Sequence, residues 1–148
     1  MWNGWKRLVT HAARYRATIS IEWAWGNKLH DIKKTKKLIG QYGLKSFKVS
    51  GCRFGLASIV SKTRGQPLCK AWRIWTNNPS LSAGLDGRHV ICQGGHPSTP
   101  VSGADTAHSG TYPDGFAKFV NKVITTPLDE LQLMATNNSW PVVGKCPP

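Results

Sequence analysis

The chain has 148 residues, enough for one domain around a single core. Its 40% hydrophobic content and seven Trp exclude general disorder, and no run of about 18 apolar residues is present to form a membrane span. The net charge is +13: residues 1–75 hold 16 Lys/Arg against only Glu22 and Asp31, whereas residues 76–148 hold 4 Lys/Arg against 5 acidic residues. A positive field confined to the first half favours polyanions, and clustering this uneven points to DNA or RNA as partner more than to general solubility.

Residues 1–16 form a basic, aromatic N-terminal segment in which Leu8, Val9 and Ala12 suit one face of a helix. The stretch from Met1 to Arg7 lacks the apolar run of a secretory signal, which favours an intracellular, reducing compartment. A single α/β domain is expected over 17–126. Ala17 to Trp23 reads as a strand, with Ile19, Ile21 and Trp23 alternating against Thr18, Ser20 and Glu22; Trp25-Gly26-Asn27 breaks it. A helix is predicted over 28–39, with Asn27 as N-cap and Gly40 or Gly43 at its end. Ile32, Leu38, Ile39 and Tyr42 fall on one arc, and Lys33, Lys34, Lys36 and Lys37 on the opposite arc. That basic arc is either a solvated outer face or a ridge that tracks phosphates.

Residues 46–52 alternate again, and strand, helix, strand favours a parallel pairing. Residues 57–68 read as a loop carrying Lys62 and Arg64. Lys70 to Thr76 is a third strand, with Trp72 and Ile74 facing one way and Arg73 and Trp75 the other. Trp23, Trp72 and Trp75 read first as sheet packing; the functional alternative is a stacking platform in which Trp75 beside Arg73 holds a base. Asn77 to Gly87 is turn-rich, His89 to Cys92 a short strand, and residues 93–115 a long irregular segment. Pro113-Asp114-Gly115 opens a helix with an apolar face of Phe116, Phe119, Val120, Val123 and Ile124. Leu128 to Met134 can add one or two helical turns, while 127–148 as a whole reads as a loose C-terminal extension, with Trp140, like Trp2 and Trp5, a terminal anchor.

Zinc needs four soft or borderline donors. Cys92 and His96, spaced C-x3-H across Gly94-Gly95, reach one ion from a tight turn, and Cys52 and Cys69 complete a set if residues 46–52 and 70–76 form a hairpin. The alternatives are buried free thiols or a Cys52–Cys69 disulfide, since no C-x2-C knuckle is present. Zinc would be structural, offsetting the ordering entropy of the 93–115 loop, roughly 1–2 kcal/mol per residue. Cys146, in the Pro-rich tail, is set aside.

From residue 17 to about 120 the order of features resembles the second half of a DNA methyltransferase-like Rossmann domain, as in cytosine-5 DNA methyltransferases and methylase-like proteins of phages and mobile elements. Glu22 stands in the Glu-led position, Phe54-Gly55 in the aromatic-Gly turn, and Lys70, Arg73 and Asn77 in the basic strand. Cys92, Gly94, Gly95 and His96 look like a Cys-Gly-His segment of mobile-element relatives. The resemblance implies a catalytically inactive relic or fragment of a methylase-like protein of a mobile element or virus. This sequence holds no Gly-rich turn for S-adenosylmethionine and no Pro-Cys nucleophile dipeptide, so that cofactor is not expected.

Other chemistry has less to stand on. Cys92 with His96 or His89 is a nucleophile–base pair without a marked oxyanion hole, and Asp105 with His96 and His108 is a sparse carboxylate–imidazole cluster. The expected fold is therefore α/β, with a small sheet of roughly three to five strands in two or three layers and two or three helices, zinc-clipped if the thiols bind metal. The expected function is non-catalytic nucleic-acid binding through Lys33, Lys34, Lys36, Lys37, Arg53, Lys62, Arg64, Lys70, Arg73 and Trp75. The alternative is a partial DNA-modifying enzyme, a methyltransferase or metal-dependent hydrolase, that needs a partner chain for its missing half.

Overall fold

The computed structural model describes residues 2–140, the side chain of Trp2 excepted; Cys146 and the rest of the tail lie outside the described residues. In chain order the elements are α1 (Trp2–Arg14), β1 (Ser20–Ala24), α2 (Lys33–Gln41), β2 (Lys45–Ser50), β3 (Leu68–Cys69), β4 (Ala71–Thr76), α3 (Pro79–Leu85), β5 (Thr99–Pro100), α4 (Ala104–His108), α5 (Asp114–Thr125) and α6 (Leu128–Thr136). The class is α/β as expected. The described residues hold six helices, more than the sequence pattern marked.

The main sheet has the order β1-β4-β2, antiparallel throughout, with Ile21 opposite Trp75 and Val49 opposite Trp72. The expected parallel pairing of β1 with β2 is corrected: the two strands run parallel, but β4 lies between them and takes the hydrogen bonds of both. The hairpin-like pairing of residues 46–52 with 70–76 is present, with Ser50 opposite Ala71. A small parallel ladder joins β3 to β5, with Leu68 opposite Thr99 and Cys69 opposite Pro100.

Strand alternation sends β4 to two cores. Trp72 and Ile74 face one way with Val49, onto Leu81 and Leu85 of α3, Phe116, Phe119 and Val123 of α5, and Leu131 of α6. Trp75 faces the other way with Ile19 and Ile21, onto Val9 of α1 and Leu38 of α2. The result is three layers, with α1 and α2 on one face of the sheet and α3, α5 and α6 on the other. In α1, Val9 is buried and Leu8 is exposed.

Four local readings change. Asn27 does cap, accepting from the Leu29 N–H at 2.9 Å, but it caps a 3-10 turn over Lys28–Asp31. Ile32 is extended (φ −65°, ψ 127°), so α2 starts only at Lys33, Ile32 is left exposed, and Thr35 joins Leu38 inside. Residues 79–85 are a helix, not turns: the Asn78 side chain accepts from Leu81 N–H at 2.8 Å and Pro79 occupies the first turn, where its missing N–H costs nothing. Residues 88–90 form a 3-10 turn, not a strand, because no neighbouring strand pairs with them. The segment 127–140 is not loose. Leu131 is 1% exposed, and Trp140 packs into the main core, stacked on His89 at 4.4 Å.

Candidate metal centre and basic surface

The sulfurs of Cys52 and Cys92 and a ring nitrogen of His96 all lie within 4.8 Å of one another. Cys52 sits in the 3-10 turn Gly51–Phe54, which continues from β2. That turn is held from both ends. Phe54 packs edge-on against Phe116 at 5.0 Å. Gly51 lies so close to Leu56 and Trp72 that a Cβ there would stand 2.7 Å from Leu56 Cδ2.

Cys92 and His96 come from the segment after the 88–90 turn. Gly94 and Gly95 both have φ near +80° (80° and 83°), left-handed geometry that a side chain disfavours and that folds His96 back onto Cys92. Two contacts join the halves. Arg53 Nε donates to the His89 carbonyl at 3.0 Å, next to both thiol segments. The β3–β5 ladder and the Thr99 N–H bond to the Pro67 carbonyl at 2.9 Å pin the far side of the His96 loop.

Cys92 and His96 shift each other's proton affinity. Cys92 Sγ lies 3.1 Å from His96 Nε2, and the Gly94 N–H points at the same sulfur at 3.4 Å. Burial by itself pushes the Cys92 thiol up, but the Gly94 N–H, the Cys52 thiol and the His96 ring outweigh it and bring it down to about 7. The Pro97 carbonyl, 2.9 Å from His96 Nδ1, and then Cys92 raise the imidazole above its ordinary value. With Nδ1 turned to a carbonyl, Nε2 is the nitrogen presented to an ion, the second-sphere arrangement that fixes a metal-binding histidine. Metal binding requires thiolates, and a thiol already near neutrality releases its proton at little cost.

Cys69 stands outside this trio. It lies on β3 beside Leu68, which is fully buried, so alternation turns Cys69 outward, where it is exposed. Among the described residues it forms no disulfide, which sets aside the Cys52–Cys69 bridge. It does line the cavity, about 630 Å³, that Cys52, Cys92 and His96 also line.

The basic residues divide by role. Lys33, Lys34, Lys36 and Lys37 are exposed on α2, and only Lys36 has an acidic neighbour, Asp31 at 3.8 Å. Lys34 and Lys37 share a groove with Lys6 of α1, and Lys6, Arg7, His11 and Arg14 line the adjoining hollow. Lys62 and Arg64 are exposed on the 57–67 loop. Arg53 is the brace described above, and Lys70 is tied by its ammonium to the backbone carbonyl and hydroxyl of buried Ser109. Trp75 as a base platform is corrected: it is 5% exposed, enclosed by Trp23 and His30, because its side of β4 is covered by α1 and α2. The exposed ring is Trp25, which sequence reasoning took only as a strand breaker. Arg73 lies over it at 4.1 Å and Lys48 at 5.2 Å.

The resemblance positions are spent on packing. Glu22 accepts from the Tyr112 hydroxyl at 2.8 Å, and burial, then Glu22, raises that phenol well above its ordinary value. Asn77 accepts from the Ile19 N–H at 2.7 Å and donates to the Tyr42 carbonyl. Asp105, 1% exposed, takes Ser58 Oγ at 2.7 Å and the Ile59 N–H at 2.8 Å, so it holds the 57–67 loop and does not join His96. No helix among the described residues is long and apolar enough to cross a membrane. No known protein family, curated protein or solved structure matches the chain.

Proposed function

We propose that the chain is a non-catalytic nucleic-acid-binding domain whose binding face is the α1–α2 layer, with Cys52, Cys92 and His96 holding a structural zinc ion at the opposite end of β2. The observation that carries the reading is the groove between α1 and α2. Lys6, Lys34 and Lys37 line it together with Asn3 and Gln41, and no carboxylate does. Three ammonium groups without a counter-charge form a site for consecutive phosphates. The adjoining hollow extends it with Arg7, His11 and Arg14, again without an acidic residue.

Support for a binding role without chemistry comes from the residues that the methylase-like resemblance would place at a working edge. Glu22, Lys70 and Asn77 each hold another part of the fold. Zinc suits the Cys/His trio because two thiolates and an imidazole are its preferred donors. The trio also joins the end of β2 to a segment with little secondary structure, 91–98, where a metal tie contributes most.

Filter binding of the full chain to single-stranded DNA, duplex DNA and RNA tests the proposal. Retention at low ionic strength that falls steeply towards physiological salt is expected; absence of retention at low salt rejects it.

A further inference from the structure

We infer that the metal position of Cys52, Cys92 and His96 keeps its fourth coordination site open to the adjoining cavity, and that this site takes a phosphate-type oxyanion beside Lys48. The inference rests on the metal reading above but not on the α1–α2 surface.

A closed structural zinc site has four protein donors. Here three converge among the described residues, and the fourth thiol of the neighbourhood does not join them. The β3–β5 ladder sets Cys69 in register with Pro100 and puts Leu68, 0% exposed, on the inner side. Cys69 lines the same cavity but is not among the donors that lie within 4.8 Å of one another. All three ligand residues line the same cavity of about 630 Å³, within the range of small-ligand sites.

The rest of the lining selects the ligand. Lys48, Lys70 and Ser98 are among the lining residues, and no Asp or Glu is. Lys70 is oriented by Ser109, and Lys48 stays exposed beside Trp25, whose ring Arg73 also covers. A divalent ion in a cavity lined by an exposed lysine, Lys48, and by no carboxylate is a site for an anion. Phosphate fits this chemistry through one oxygen on the metal and another on Lys48. The phosphate can come from a free small molecule or from the terminus of a nucleic-acid strand.

Cobalt(II)-loaded full chain tests this. Native mass spectrometry first counts metal per chain; the visible spectrum then reports thiolate number and the fourth ligand. The inference expects one metal, thiolate-to-cobalt absorption that Cys69→Ser leaves unchanged, and a saturable shift of the d–d bands on adding inorganic phosphate or a 5′-phosphorylated oligonucleotide. A 5′-hydroxyl oligonucleotide should give no shift. A shift by the oligonucleotide alone assigns the strand terminus as source, and a shift by inorganic phosphate alone assigns the free ion. Lys48→Ala should retain metal while weakening the phosphate effect roughly tenfold or more. No phosphate shift, or loss of about a third of the thiolate absorption in Cys69→Ser or Cys146→Ser, which would mean a closed site with three thiolates, overturns the inference and leaves the zinc reading standing. No stoichiometric metal overturns both, while salt-sensitive binding through α1–α2 is unaffected by either result.

Discussion

Cys92 Sγ and His96 Nε2 lie 3.1 Å apart across two left-handed glycines, with Cys52 completing the group from the other side of the sheet end. The two donors, four chain positions apart outside any helix, meet across the left-handed turn at Gly94 and Gly95. Zinc should therefore load at one ion per chain, and His96→Ala should abolish stoichiometric loading. An ion present at about 1,000 times its Kd stabilises the native state by about 4 kcal/mol, so chelation should lower the melting temperature clearly. Elemental analysis and thermal melts with and without chelator measure both; equal melting in the two conditions contradicts a structural role.

Asp105 holds the 57–67 loop through Ser58 and Ile59 and should make that region sensitive to acid. Burial pushes its carboxyl up, but the Ile59 N–H, the Ser58 hydroxyl and His108 outweigh it, and the net shift is down. The unfolded chain therefore takes up this proton before the folded one does. Its contribution is full above the ordinary carboxylate range and is lost as pH falls through that range to the lower folded value. Asp105→Asn should lower the melting temperature at neutral pH and flatten its decline in acid. An unchanged acid profile would show that another carboxylate governs it.

Trp75 and Trp25 should respond oppositely to truncation. Trp75→Ala opens a cavity under α1 and α2 and should cost about 3–5 kcal/mol. Trp25→Ala removes only a partly exposed ring and its cation contact with Arg73, about 0.5–2 kcal/mol. Urea denaturation of the two variants gives the ranking, and a larger loss for Trp25 would mean that the face carrying Trp75 is not the covered one.

Local patterns were readable where one neighbour decides them. Ile19, Ile21 and Trp23 alternate as a strand, Trp72 and Trp75 divide between two faces, and Phe116, Phe119 and Val123 mark α5; all three hold in the structure. Cys52, Cys92 and His96 were visible as donors because C-x3-H with two glycines is a local signal. What depends on distant partners was not readable. The position of β4 between β1 and β2 is set by long-range pairing, and Cys69 is turned outward by a two-residue ladder whose other strand lies 31 positions later, at Pro100. The burial of Asp105 depends on a loop 46 residues earlier, at Ile59. The α3 start has a local signal, Asn78-Pro79, set among Gly and Ser residues that also suit turns. Trp25 gave no sign of its role, because Arg73 reaches it only once β1 and β4 are paired.

The α1–α2 groove is the centre of the functional account, and the salt dependence of nucleic-acid binding by the Lys34→Ala/Lys37→Ala variant tests it most directly. Both lysines are exposed on the groove rim, so the variant should fold as the parent does. Each phosphate contact contributes about 0.9 to the slope of log K against log salt on duplex DNA. The variant's slope should be shallower by roughly 2, with weaker binding at every salt concentration. A slope and affinity equal to those of the parent chain would place the binding surface elsewhere and contradict the account.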